Sequence, residues 1–409
     1  MTVSPLWNKD MQGLPIYAVG LDAGSNYTRF AIGVLEHTGL RVIGIGQAES
    51  QGWVKGRIAD QRAVSDSILR AVREAEALAQ ITVESAVAGM GGPVVRGANS
   101  RAAIEVGRKR EIEHRDVSRV IEHASRVQLH EDRMLLQACL QDFVVDDHPG
   151  HRDPRGMVAS RVEANMHLIT TSVLEHDSLV LAMNQAHLAA EETVYEGVAG
   201  CYSCILPEER REGIALLDIG AHSSELAVYY GDSLQLASSI PICGDHFTKD
   251  IARGLYTTFE DAVRLKEEYG CAALGLTADY SLIEVPSPEE RGAREAPRRL
   301  LNQILEARAE ELFRFVRREL ARVGMDQALT GGIVLTGGGA RLNGMCDIAE
   351  KLLNCQARNG LALGICDWPE EIDSPVWTAA AGLMMYSAKL KAREQAQQRA
   401  VGFLGRMLR

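Results

Sequence analysis

Two stretches of this chain, far apart in sequence, follow one template. Residues 17–33 read YAVGLDAGSNYTRFAIG, and residues 214–230 read IALLDIGAHSSELAVYY. Asp22 matches Asp218, Gly24 matches Gly220 and Ala31 matches Ala227, all at one offset (218 − 22 = 196). Each stretch is an apolar strand, an Asp-x-Gly turn with small polar residues, and a second apolar strand. A repeat of this kind restricts the chain to two related lobes, each opening on a hairpin. It reads as a duplicated phosphate-gripping hairpin with a nucleotide held between the lobes.

The chemistry follows from the residue types. Gly24 and Gly220 lack a Cβ, so backbone N–H groups in the turns can approach phosphate oxygens closely. Ser25, Asn26, Ser223 and Ser224 add side-chain donors, and Ala221 and His222 complete the second turn. Asp22 and Asp218, one per turn, would face each other across a magnesium ion, through water, because magnesium gives up its hydration shell reluctantly. The competing reading is an ordinary β-hairpin with glycine in its turn. A third element, GGIVLTGGGARLNGM (Gly331 to Met345), runs an apolar strand into Gly337, Gly338 and Gly339 and then a helix start. Such a turn brings backbone close to a sugar or phosphate, with the helix N-terminus favouring an anion. Placed after the second hairpin, it looks like the adenosine motif of the actin, Hsp70 and sugar-kinase superfamily. Arg341 belongs to the same turn. Lys266 and Glu267, on a helix expected over Phe259 to Tyr269, stand where such proteins pack ribose and base, or are a solvated helix face.

Bulk composition narrows the class. The 409 residues suffice for two or more lobes with sizeable cores. With 46% hydrophobic and 5% aromatic residues, the chain fits an ordinary α/β protein. A net charge of −11 argues against general nucleic-acid binding. No apolar run reaches the roughly 18 residues a membrane span needs. Residues 1–14 lack the apolar core of a signal peptide and read as a loose leader. The eight cysteines form no framework. Cys201 and Cys204 make one C-x-x-C, to be read as buried thiols or as a zinc or redox pair. Reduced cysteines suit the cytoplasm.

Along the chain, Ile16 to Val34 and Gly39 to Glu49 read as a strand meander, Asp60 to Ala79 as an amphipathic helix and Thr82 to Met90 as a strand. From there to about His167 the pattern changes: strand-like stretches at Ala102 to Val106, Phe143 to Val145 and Ser160 to Leu168 surround one helix, from Glu113 to Val127. Helices are expected over Ser178 to Ala190, Thr193 to Tyr202 and Asp245 to Leu255. Val285 to Pro297, rich in turn residues and charge, reads as a mobile loop. Arg298 to Val323 is a long helix with Leu301, Ile304, Leu305, Leu312, Phe315 and Val316 at helical spacing. Val376 to Met385 is a small-residue helix suited to tight packing on a sheet.

These residues carry a resemblance. The chain resembles the FtsA family of bacterial cell-division proteins, which are actin-like, from about Ile16 to Lys389. The most specific part is the inserted piece: Gly91-Gly92-Pro93, then Asn99-Ser100-Arg101, EIEHRDVSRVIEHASRV (Glu111 to Val127), QDFVVDD (Gln141 to Asp147) and DPRGMVASRVEANMHLIT (Asp153 to Thr170). That order looks like the 1C subdomain, which the family carries where actin has its 1B subdomain. The resemblance implies an α/β, actin-like two-lobed ATPase fold of duplicated RNase H-like lobes. Its first lobe would comprise residues 15–85, 168–212 and 376–388, with 1C at 86–167. Its second would comprise 213–255 and 324–375, with subdomain 2B at 256–323. The family's second phosphate turn is usually Asp-Ile-Gly-Gly-Gly-Thr. Here Ala221 and His222 carry Cβ atoms where glycine is usual, and His222 either adds a donor or crowds the terminal phosphate. Glu196-Gly197 stands where Glu-Pro or Gln-Pro is common near the hydrolytic water, so Glu196 is the candidate catalytic residue, and at most slow ATP hydrolysis is expected.

The last eleven residues read RAVGFLGRMLR. At about 100° per residue, Ala400, Val401, Phe403, Leu404, Met407 and Leu408 fall within one arc of roughly 160°, with Arg399, Arg406 and Arg409 opposite. This is the pattern of a helix lying in a membrane surface. A helix docked on the protein, or a frayed end, is the alternative, and Gly402 and Gly405 weaken the isolated helix by about 1 kcal/mol each. A polar link over 389–398 would free this segment, and polymerisation would turn weak single binding into avidity.

The resemblance therefore implies a cytoplasmic ATP- and magnesium-binding adaptor that polymerises head to tail on the inner face of the membrane at the division site. It would bind lipid through the tail and later division proteins through 1C, with no nucleic acid. The C-terminal tail of the tubulin-like protein FtsZ would dock at Arg298, Arg299 and Asn302. Two rivals share the fold: a pilus-assembly scaffold of the PilM type and a sugar kinase. The match from Glu111 to Thr170 favours the FtsA family over both.

Overall fold

The computed structural model of the chain describes residues 15–278, 280–287 and 292–407, with side chains through 396. The leader over 1–14, Leu408 and Arg409, and the side chains of Val401, Phe403, Leu404, Arg406 and Met407 lie outside the described residues.

Lobe 1 begins with the meander β1 (Ile16–Ala23), β2 (Tyr27–Glu36) and β3 (Gly39–Glu49), then a small clasp of β4 (Trp53–Val54) and β5 (Arg57–Ile58). Helix α1 (Gln61–Ala79) and strand β6 (Ser85–Met90) follow. Asp60 caps α1, its carboxylate accepting from the N–H groups of Arg62 and Ala63 at 3.0 and 3.2 Å. The buried stripe Val64, Ile68, Ala71, Val72 and Ala75 presses α1 onto the sheet. A Cβ on Gly46 would stand 1.9 Å from the Ala71 carbonyl, so glycine there sets how closely α1 packs.

The inserted piece comprises β7 (Arg96–Glu111), α2 (His114–Ser125), β8 (Arg133–Val145), β9 (His148–His151) and β10 (Val158–Ser172). The chain returns through α3 (Val173–Gln185), β11 (Ala189–Tyr195), α4 (Glu196–Cys204) and α5 (Pro207–Glu212). Lobe 2 repeats the meander with β12 (Ile214–Ile219), β13 (Ser224–Tyr230) and β14 (Ser233–Ile240), followed by α6 (Gly244–Gly254) and α7 (Phe259–Tyr269). Next come the hairpin β15 (Leu282–Pro286) and β16 (Ala293–Pro297), α8 (Arg298–Arg322), β17 (Gly332–Thr336), α9 (Met345–Leu353) and β18 (Ala357–Asn359). Strand β19 (Ile365–Cys366) and helix α10 (Thr378–Met407) pack back on lobe 1.

The duplication is complete at the level of the sheets. Lobe 1 runs β3-β2-β1-β6-β11, with β19 outside β3, and lobe 2 runs β14-β13-β12-β17-β18. In both, the first three strands are antiparallel and the next two are parallel to the first. The sheet of the insertion (β7-β10-β8-β9) joins the edge of lobe 2 through one bridge, Arg96 with Ser238. Side chains reinforce that seam. Gln141 donates from Nε2 to the Leu234 carbonyl at 3.0 Å, Ser233 donates to the Gln141 carbonyl at 2.7 Å, and the Ala237 N–H donates to His167 Nε2 at 3.0 Å. The insertion thus leaves lobe 1 in sequence but is held against lobe 2 in space.

Three expectations change. Ala189–Tyr195, divided above between two helices, is a strand paired in parallel with β6, because an open sheet edge there offers its backbone a ladder. The segment read as a mobile loop supplies the end of β15 and all of β16, paired as a hairpin, with Val285 and Ala296 buried in the core of lobe 2. The residues read as a polar link, 389–398, continue α10 without a break.

Candidate functional site

A cleft of about 350 Å³ separates the lobes, and both hairpin turns, the glycine turn after β17 and one side of α7 line it. That volume lies within the range of small-molecule sites. Asp22, Gly24, Ser25 and Asn26 line it from lobe 1. Asp218, Gly220, Ala221, His222, Ser223, Lys266, Glu267, Gly337, Gly338 and Arg341 line it from lobe 2. Glu196, the first residue of α4, reaches the same cleft.

Both turn glycines pack closely against their own turns. A Cβ on Gly24 would lie 2.7 Å from the Tyr27 carbonyl, and one on Gly220 would lie 2.9 Å from the Ser223 carbonyl. Each glycine is demanded by its own turn. The Gly220 N–H is spent on the Ser223 carbonyl at 3.0 Å, so it is not a donor to the cleft. The second turn is tied to the start of α6, where the N–H groups of Gly244 and Asp245 donate to the carbonyls of Gly220 and Ala221 at 2.8 and 3.0 Å.

Carboxylates dominate the electrostatics. Burial, with the nearby Asp218 adding to it, raises Asp22 to about 7, and burial raises Asp218 to about 6. Burial also raises Glu225 to about 7, and it holds Glu196 well above the usual carboxylate range, with Asp22 adding to the effect. Gly89 and Gly91 make room for Glu196: a Cβ on Gly91 would stand 2.2 Å from its Oε2. Glu225 accepts from the Gly92 N–H at 2.8 Å, and its other carboxylate oxygen is buried without a partner. Such a group of crowded acids ionises less readily than free carboxylates and favours a cation.

The remaining residues divide. Lys266 is half-buried, its Nζ donating to Thr248 Oγ1 at 2.8 Å, whereas Glu267 lines the cleft from an exposed position. His222 places Nε2 3.5 Å from Asp245 Oδ2 and leaves Nδ1 buried without a partner. Gly337, at φ +77°, sits where a Cβ would be 2.4 Å from Asp218 Oδ1, while Gly338 has open space. Gly339 does not line the cleft. A Cβ there would meet Ile219 Cγ2 at 2.3 Å, so this glycine serves packing beneath the turn. Cys201 and Cys204 are buried on α4, and burial pushes the Cys204 thiol up to about 12.

Arg298, Arg299 and Asn302 lie on α8, away from the cleft. Asn302 is fully buried, accepting from the Cys271 N–H at 3.0 Å and donating to Thr277 Oγ1 at 3.1 Å. It cannot face a partner. Arg298 donates from Nε to the Tyr269 carbonyl at 2.7 Å and is half-buried.

Sequence reasoning missed Arg29 and Glu225, both of which line the cleft. The signal was present: 29 and 225 differ by the same 196 residues as the paired aspartates.

Comparison with known proteins gives the family and the fold. Residues 215–382 match the family described as cell division protein FtsA, and residues 92–170 match the SHS2 domain inserted in FtsA. The chain is 32% identical to cell division protein FtsA of Pseudomonas aeruginosa over 369 residues, 90% of this chain and 88% of that one. Among solved structures, the PilM–PilN type IV pilus biogenesis complex superposes with a TM-score of 0.67 at 17% identity, over 90% of this chain and 98% of that one. MreB5 of Spiroplasma citri bound to ADP superposes with a TM-score of 0.56 at 13% identity, over 93% and 98%. At such identities these structures share the fold alone: an actin-like pair of lobes. The chain belongs to the FtsA family of cell division proteins, built on that actin-like fold with the SHS2 insertion.

Proposed function

We propose that this protein is an ATP-binding, actin-like adaptor of cell division that polymerises on the inner face of the cytoplasmic membrane. There it anchors the FtsZ ring and recruits later division proteins through its inserted subdomain. The observation that carries the nucleotide part is the pair of aspartates, one from each duplicated hairpin, lining one cleft beside the open backbone of Gly338. The solved MreB5 relative in fold holds ADP. Asp22 and Asp218 would hold magnesium, which would offset phosphate charge and draw both carboxyls to their ionised form. Ser25, Asn26, His222 and Ser223 offer donors to the phosphates, and Lys266 and Glu267 flank the nucleoside end.

Glu196 suits slow hydrolysis at most. Burial, with Asp22 adding to it, disfavours the ionised carboxylate that a base needs, until the cleft charge changes. The basic start of α8 supports docking of the FtsZ tail on Arg298 and Arg299, with Asn302 as the buried pin that fixes their helix. Among the described residues no helix is long and apolar enough to cross a membrane. The amphipathic sequence at 399–409 supports attachment at the surface instead.

The test is co-sedimentation with anionic liposomes, with and without magnesium-ATP, using the full chain and a version ending at Gln398. The expected result is lipid binding by the full chain, strengthened by ATP and lost on truncation. Equal pelleting of both versions, or of neither, would overturn membrane anchoring by the tail.

A further inference from the structure

Strand β11 ends the sheet of lobe 1, with β6 on one side of it. The backbone groups on its other side need partners from elsewhere. At its last residue the insertion supplies one: the Tyr195 N–H donates to Oε1 of Gln137, on β8, at 2.9 Å. Tyr195 is fully buried, and its hydroxyl donates to the carbonyl of Ser238, on β14, at 3.0 Å. One residue of lobe 1 is thus held by the insertion at its backbone and by lobe 2 at the tip of its side chain. The next residue is Glu196, which reaches the cleft.

The start of α4 depends on that hold. Glu196 and Gly197 are its first two residues, and no side-chain cap closes this end. Where a proline would fix φ in this turn, Gly197 leaves it free. The glycine is required by packing: a Cβ on Gly197 would lie 2.6 Å from Tyr195 Cε1 and 3.3 Å from Ala227 Cβ, so the tyrosine ring fills the space beneath the helix start. Among the described residues the Glu196 carboxyl makes no hydrogen bond of its own. Its aim is therefore set by the backbone that carries it, and that backbone is fixed at Tyr195.

We propose that Gln137 is a positioning residue for Glu196: by holding the Tyr195 N–H it fixes the first turn of α4, and with it the reach of the Glu196 carboxyl into the cleft. The inference rests on the nucleotide reading above and deepens it, because it makes the insertion part of the cleft's own machinery. In ATP hydrolysis the water oxygen bonds the terminal phosphorus, the bond from that phosphorus to the bridging oxygen breaks with its electron pair left on ADP, and Glu196, once ionised, takes the proton that water releases. Gln137 does not line the cleft and touches none of these atoms. It acts through Tyr195, so its loss lowers turnover and leaves ATP affinity in place.

The experiment uses the full chain as wild type, Gln137→Met and Gln141→Met. Methionine keeps the length of the side chain and removes the acceptor. Gln141, further along β8, ties the insertion to the Leu234 carbonyl of lobe 2 instead, so its variant loosens the insertion without touching Tyr195. Hydrogen exchange of peptides covering residues 193–204 is read in the ligand-free protein, ATP affinity by titration calorimetry, and hydrolysis in a single turnover. Gln137→Met should exchange faster over these residues and hydrolyse ATP about 10-fold more slowly, the size of one lost hydrogen bond, with affinity unchanged. Gln141→Met should match wild type in all three. Gln137→Asn, too short to reach Tyr195, gives the same test should the methionine variant not fold. Equal effects of Gln137→Met and Gln141→Met would mean general support of the insertion and overturn the assignment, as would wild-type exchange and turnover in Gln137→Met. A wild type that binds ATP without hydrolysing it removes the role of Glu196, and the assignment with it. A wild type that binds no ATP would overturn the nucleotide reading itself.

Discussion

The cleft carboxylates make the ligand-free protein weaker where it is meant to work, and Asp218→Asn isolates one of them. Burial takes Asp218 from the ordinary 3.8 to about 6. A tenfold change in proton affinity corresponds to about 1.4 kcal/mol, so the whole difference is about 3 kcal/mol. The sign follows from which state holds the proton. Between pH 4 and 6 the folded protein keeps it and the unfolded chain does not, so stability from this group is complete below about pH 4 and lost as pH rises through 6. Asparagine has nothing to lose. The stability of Asp218→Asn relative to wild type should therefore increase from pH 5 to pH 7.5 by about 1.4 kcal/mol, the part of the difference lying above pH 5. Urea unfolding of both ligand-free proteins at a series of pH values measures it. The same variant should lose magnesium-dependent ATP binding. Parallel pH curves for the two proteins would refute the argument, because they would mean that Asp218 ionises as freely folded as unfolded.

Neighbouring glycines should separate binding from packing. Gly338→Ala adds its methyl to open space and should leave unfolding unchanged while weakening nucleotide binding, whereas Gly339→Ala drives a methyl into Ile219 and should cost about 1–3 kcal/mol in urea unfolding. Asn302→Ala leaves the buried Cys271 N–H without its acceptor and should destabilise by about 1–3 kcal/mol. Arg298→Glu, at a half-buried position, should weaken binding of the FtsZ tail peptide; unchanged peptide affinity would reject docking there.

How much of this was legible depends on whether the deciding contact is local. The two Asp-x-Gly hairpins were readable because strand, turn and strand sit within 17 residues, and repetition at one offset separated them from ordinary turns. Helices α1 and α8 were readable from periodicity. Strand β11 was not, because AAEETVY has no strand signal of its own and becomes one only beside β6. The row joining Asp22 to Arg29 and Gln47 depends on register across three strands, which no short window contains.

Asn302 shows the limit most clearly. It stands four residues after Arg298, so helical spacing puts both on one side of α8 and suggests one shared surface. That spacing says nothing about what covers the side. The turn after α7 brings the Cys271 N–H and Thr277 over Asn302, which satisfies both polar atoms of its amide and takes it from solvent, while Arg298, one turn earlier, reaches the Tyr269 carbonyl and stays half-exposed. Spacing selects a face, but the partner that covers it, here some 30 residues away in sequence, decides whether a polar residue on that face binds another molecule or holds its own fold together.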